Sequence, residues 1–129
     1  MYRELIISTV IIILIFIFDF ITQSYTDKVI NSAIQDLCII KEKINEKEIR
    51  NEELVGICNK KYFKWLEYHK LLAFYIEHNE LEKVETNYVT GKSFIETNNY
   101  EDAISEFEKT IFVMKHINDK YSVKLENIF

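Results

Sequence analysis

Proline is absent from this 129-residue chain, and glycine occurs only at Gly56 and Gly91. These residues supply most of the punctuation that strands and tight hairpins require, so their scarcity argues against a β-rich fold and for long helices. Basic residues are outnumbered, 16 against 21 acidic for a net charge of −5, and no basic stripe interleaves with aromatic residues. Nucleic acid is therefore not an expected partner. Catalytic signatures are missing as well: the chain has no glycine-rich phosphate loop, no GxSxG, no CxxC and no HExxH. No catalytic residue and no cofactor site is assigned, the acidic side chains read as solvated helix faces, and the chain is expected not to be an enzyme.

What the chain has in plenty is one apolar run. Leu5 to Ile21, LIISTVIIILIFIFDFI, begins four residues from the N-terminus and carries a single charge, Asp19, near its far end. As a helix rising about 1.5 Å per residue it covers about 26 Å, close to the roughly 30 Å of a bilayer core. Residues 1–24 are accordingly read as a membrane anchor, with the lipid bilayer as partner of residues 5–21. A cleaved signal peptide is the competing reading, with Thr22 and Ser24 as the small pair at the cleavage site. Against it stand the single Arg3 beside Glu4, the lack of an Ala-x-Ala and the length of the run. Asp19 lies within a turn of the segment's end and reaches the interface, which makes an intramembrane role unnecessary.

Orientation is set by few charges: Arg3 on one side, Lys28 and Lys41 against Asp27 and Asp36 on the other. The short N-terminal flank, the acidic close of the segment and the two cysteines favour a cytoplasmic N-terminus and an extracytoplasmic body. A cytoplasm-facing regulator is the inverse arrangement.

Residues 25–129 suit one small domain. Four segments show apolar residues at three- and four-residue spacing. Ile30, Ala33, Ile34, Leu37, Ile40 and Ile44 mark the first, which is able to continue unbroken from the anchor; Leu54, Cys58, Trp65, Tyr68, Leu72 and Ile76 mark the second. Leu81, Val84, Tyr88 and Ile95 mark the third; Tyr100, Ala103, Ile104, Phe107, Ile111 and Met114 mark the fourth. Between them, the charged stretch Glu46–Arg50 and the pair Asn98-Asn99 read as turns, with Asn51 and Asn79 as N-caps, the latter boxed by Glu82. Short connections make successive helices antiparallel, so the expected fold is all-α: an N-terminal transmembrane helix followed by an antiparallel bundle of about four helices.

Three features carry candidate chemistry. Cys38 and Cys58 each lie ten residues from Glu48, mid-turn, and so at equal depth on adjacent antiparallel helices. A disulfide across that seam and two small buried hydrophobes are both open readings. The antiparallel path also brings His78, Glu82 and His116 to one end of the bundle, where two imidazoles and a carboxylate are the makings of a divalent-metal site. Histidines at helix ends also serve the helix dipole, which is the plainer account. The aromatic series Tyr62, Phe63, Trp65, Tyr68, Phe74 and Tyr75 fills a thin core, yet adjacent rings such as Tyr62 and Phe63 cannot all face one seam, and an outward patch suits a partner helix. The apolar Leu125, Ile128 and Phe129 should fold back over the end near His78 and His116, with partner docking as the alternative.

Two resemblances follow from particular residues. Ser93 to Ile95, the Asn98-Asn99 turn, Tyr100, Ala103, Phe107 and Ile111 resemble a tetratricopeptide hairpin in shape; no second copy is visible, and a solenoid needs about three. From Trp65 onward, W-x6-L-x2-Y-I-x-H-x-E (Trp65, Leu72, Tyr75, Ile76, His78, Glu80), Phe94 to Thr97, Ala103, His116-Ile117 and the terminal Leu125 to Phe129 read together. In these residues the chain resembles the bacterial membrane-anchored family called domain of unknown function four-three-six-three, over roughly residues 60–129 plus the anchor. The departure lies at Tyr121 to Lys124. The resemblance implies a mostly helical envelope protein of low-GC Gram-positive bacteria, with no established activity and no assigned catalytic residues. The functional expectation is a non-enzymatic accessory protein that acts by contact with a protein partner or by self-association; a metal- or small-ligand-binding sensor is the rival.

Overall fold

The computed structural model describes residues 1–46 and 48–122 of the chain. Among them the secondary structure is helical throughout: α1 (Tyr2–Asn45), α2 (Asn51–Leu72), α3 (His78–Glu96) and α4 (Tyr100–Tyr121). Each helix packs on two neighbours, α1 on α2 and α4, α3 on α2 and α4, which closes an up-down-up-down four-helix bundle. The all-helical expectation is met. The expected fold-back of Leu125, Ile128 and Phe129 lies outside the described residues.

The first helix belongs to two environments. Every large apolar side chain from Leu5 to Ile21 is exposed, whereas Thr26, Val29, Ile30, Ala33, Asp36, Leu37 and Ile40 are buried against the bundle. The apolar segment and the first bundle helix are thus one unbroken 44-residue helix. At the changeover Gln23 donates its amide to Asp19 at 2.8 Å, and the Thr22 hydroxyl bonds the Asp19 carbonyl at 2.9 Å. The charge that closes the apolar run is therefore tied to the polar residues of the next turn.

The core is a single cluster. Trp65, Tyr88 and Phe107 are its largest side chains, with Leu37, Leu54, Leu72, Leu81, Ile95 and Met114 above and below them. In α3 the buried positions Leu81, Val84, Tyr88, Gly91 and Ile95 alternate three- and four-residue steps, the seam of a left-handed bundle. Gly91 marks a close approach of α3 to α4: a Cβ built there would sit 2.5 to 2.9 Å from three ring carbons of Phe107.

The turn between α3 and α4 follows from two asparagines. Asn98 takes a left-handed conformation at φ 61°, its N–H bonds the Ile95 carbonyl at 3.0 Å, and the Asn99 N–H bonds that of Phe94 at 2.8 Å. This is the Schellman closure of a helix, with asparagine where glycine is commonest. Asn99 then caps α4, accepting the Asp102 N–H at 3.4 Å. The other expected caps are displaced by one or two residues: Arg50 precedes α2 and Glu77 precedes α3, neither with a side-chain cap bond. Asn51 has another task, since the Tyr100 hydroxyl lies 2.8 Å from its Oδ1 and joins the far ends of α2 and α4.

Candidate functional site

Two polar assemblies stand out against the apolar core. One lies in the α1–α2 seam, where Asp36 occupies a position of the buried stripe between Ala33 and Ile40. Its two carboxylate oxygens each meet one lysine at 3.1 Å, Lys61 and Lys64. Lys64 also donates to Ser32 at 3.2 Å, and its hydrogen bond to Asp36 raises its pKa. A buried carboxylate flanked by two cations is a satisfied structural unit: the opposing charges and hydrogen bonds offset its desolvation. The count that set Cys38 against Cys58 sets Asp36 against Lys60, one residue from its partner Lys61, and a lone aspartate inside an apolar stripe was the signal for it.

The second assembly is the end of the bundle where α1 leaves for its bare apolar half. Thr26 donates to the Thr22 carbonyl at 2.7 Å, and the Tyr75 hydroxyl lies 2.6 Å from the Thr26 Oγ1 and 3.2 Å from the same carbonyl. Burial pushes the Tyr75 phenol up, partly offset by the Thr26 hydrogen bond. Across the bundle, Asn118 donates to Asp27 at 3.1 Å, and the Ser122 hydroxyl bonds the Asn118 carbonyl. Lys120 meets Glu80 at 3.3 Å and Glu77 at 3.7 Å, while the Tyr121 hydroxyl accepts the Glu77 N–H at 3.4 Å. α1, the α2–α3 turn, the start of α3 and the end of α4 are thus cross-tied at the level of Thr22 to Asp27.

The histidines lie at this end as expected, but not as one set. His78 faces Glu82 at 3.8 Å along its own helix, whereas His116 faces Glu80 at 3.7 Å. Glu80 points inward and is largely buried while Glu82 points outward, so the carboxylate nearest His116 is not the one expected. Among the described residues no three His, Cys, Asp or Glu side chains come together in a way that could hold a metal ion. The expected ligand set His78, Glu82 and His116 is corrected accordingly to two separate pairs.

The cysteines are likewise apart in character. Cys58 is buried in the core and Cys38 is exposed, and both are free thiols. Cys38 lies beside the buried Leu37 on the outer flank of α1 while Cys58 faces the core, and the structure holds no bridge between them. Burial pushes the Cys58 thiol up to about 12, which removes it as a nucleophile at neutral pH. Its polar neighbour Tyr88, also raised by burial, packs its ring on Tyr62 at 5.2 Å and on Phe107 at 6.0 Å. The aromatic series divides: Trp65 is fully buried, Tyr62, Tyr68 and Tyr75 are half-buried, and Phe63 and Phe74 are exposed.

The fold of residues 20–122 can now be set beside known families. The family described as Domain of unknown function (DUF4363) matches residues 20–128. The chain belongs to this family. The match takes in the whole bundle, including α1 from its last apolar residues and the Asp36 seam, and so begins some forty residues earlier in the body than Trp65 and its neighbours suggested. The exposed apolar half of α1 up to residue 19 lies outside the matched residues. No curated protein and no solved structure matches the chain.

Proposed function

We propose that this chain is a single-pass membrane protein whose bundle is a non-enzymatic contact domain of the cell envelope, facing outward. One observation carries the reading: α1 is bare and apolar over Leu5 to Ile21, then enters the bundle core without a break. A helix with such a run on every side is long and apolar enough to cross a bilayer. A continuous helix also transmits position, so the body stands at a set height and rotation relative to the membrane, as suits a domain that works by presenting a surface. The basic residues flanking the run are few on both sides, Arg3 before it and Lys28 and Lys41 after it, and the acidic residue that closes it, Asp19, supports the outward orientation. With both thiols free, a disulfide no longer counts among the reasons for placing the body outside.

The separation of the thiols makes the test simple. Intact cells are treated with a membrane-impermeant maleimide, with lysed cells and Cys38→Ser and Cys58→Ser variants as controls. The outward reading predicts labelling of Cys38 in intact cells without prior reduction, and of Cys58 only after unfolding. Labelling of Cys38 only after lysis would overturn the orientation and leave the cytoplasm-facing regulator. Contact is tested by photo-crosslinking from Phe63 and Phe112 on the body's surface: discrete adducts support it, and bare monomer at both sites refutes it.

A further inference from the structure

Leu71 and Phe74 are left bare where the bundle meets the apolar half of α1, at 51 % and 84 % exposure. They are three residues apart and joined by a hydrogen bond from the Phe74 N–H to the Leu71 carbonyl at 3.2 Å, which puts them on one face of the turn that ends α2. The height of that turn is fixed by its next residue. Tyr75 reaches across to the Thr22 carbonyl at 3.2 Å and the Thr26 hydroxyl at 2.6 Å. Thr22 is one residue beyond Ile21 and Thr26 five, so the turn stands about 1.5 to 7.5 Å past the last apolar residue along the helix axis.

A bilayer core of about 30 Å is flanked by polar layers of roughly 5 to 7 Å on each side. With Leu5 to Ile21 filling the core, the α2–α3 turn falls inside one of those layers. Tyr25, Tyr75 and Tyr121 gather at the same end, each ring with an apolar body and a polar tip, as suits residues at a membrane interface. Phe63 and Phe112 are exposed as well, at 63 % and 74 %, but both lie within the length of a helix, away from the turn that Tyr75 ties to Thr22.

We propose that Leu71 and Phe74 form a second bilayer contact, seated in the boundary between headgroups and acyl chains beside α1. The proposal rests on the reading of α1 as membrane-spanning. Lipid is the occupant because the turn that carries the patch is tied to Thr22, the residue after the apolar run, and so lies at the height of the interface. Two contacts hold what one helix alone cannot: they fix the tilt of the body, and so decide which of its faces looks away from the membrane.

The test uses the full chain carrying Cys38→Ser, reconstituted in phosphatidylcholine–phosphatidylglycerol vesicles. An environment-sensitive fluorophore is attached to one added cysteine at a time: Leu71→Cys, Phe74→Cys, Phe112→Cys or Phe18→Cys. Lipids bearing a nitroxide high on the acyl chain serve as quencher. The expected result is strong loss of emission at positions 18, 71 and 74 and none at 112. Quenching at 18 with positions 71 and 74 as bright and water-exposed as 112 would overturn the second contact while leaving the anchor intact. A label at 74 that is shielded from water yet unquenched would show protein covering the turn, and would also overturn it. No quenching at 18 would overturn the anchor, and the contact with it.

Discussion

Replacing each glycine by alanine should move stability in opposite directions. Both lie inside helices, where alanine is favoured over glycine by about 1 kcal/mol. At Gly56, in α2, a Cβ meets nothing within 4 Å, so Gly56→Ala should realise most of that gain. At Gly91 the same Cβ meets three carbons of the Phe107 ring at 2.5, 2.8 and 2.9 Å. That ring has nowhere to go: Phe107 is fully buried and stands edge-on to Tyr88 at 6.0 Å. Overpacking of this kind costs typically about 1 to 3 kcal/mol, so Gly91→Ala should be destabilising by about 1 kcal/mol net, and the two variants should differ by about 2 kcal/mol. For a domain of this size that separation is roughly 8 to 16 °C in Tm. Near-UV circular dichroism of the detergent-solubilised chain, which senses the buried Trp65, would read it. Equal stabilisation by the two alanines would show that α3 and α4 do not approach at Gly91.

Two further outcomes follow from buried groups. Asp36→Ala should cost about 1 to 3 kcal/mol, less than a fully buried pair, because Lys61 and Lys64 are 26 % and 43 % exposed and can turn to water. Asp36→Leu should recover most of that loss in denaturant titrations, whereas wild-type stability in Asp36→Ala would refute a role for the ion pairs. The buried thiol sets an alkaline limit: its pKa rises from 9.0 to about 12 on folding, so stability is unaffected below the unfolded value and falls above it. The slope for this one group is about 1.4 kcal/mol per pH unit until the folded thiol also ionises. Denaturation from about pH 8 to about pH 11 should therefore fall more gently for Cys58→Ala than for wild type, with Tyr88 adding its own loss at higher pH. Parallel curves would contradict burial of Cys58.

The helices and their order were legible because each rests on a local signal. Asn98 and Asn99 closed one helix and opened the next as their side-chain chemistry suggested, and the stripes of α3 and α4 fell on the buried face. What could not be read was rotation about the helix axis. Counting residues from a turn gives depth, and it brought His78 to the same end as His116. It says nothing of azimuth, so Cys38 faces outward and Glu80, not Glu82, meets His116. Asp36 was overlooked for a related reason: it was weighed as a flanking charge of the membrane segment, whereas its neighbours Ala33 and Leu37 already placed it on the buried face. The apolar run was plain from composition alone, while the seating of the α2–α3 turn against it depends on the long-range bond from Tyr75 to Thr22.

The central claim is that α1 carries the bundle from the bilayer as one uncleaved helix. Its most direct test is intact mass spectrometry of the chain recovered from membranes after alkaline extraction. The account predicts the full-length chain, Met1 included or trimmed alone, retained in the bilayer fraction. A chain that starts near Thr22 to Tyr25 and is released in soluble form would identify Leu5 to Ile21 as a removed signal sequence and contradict it.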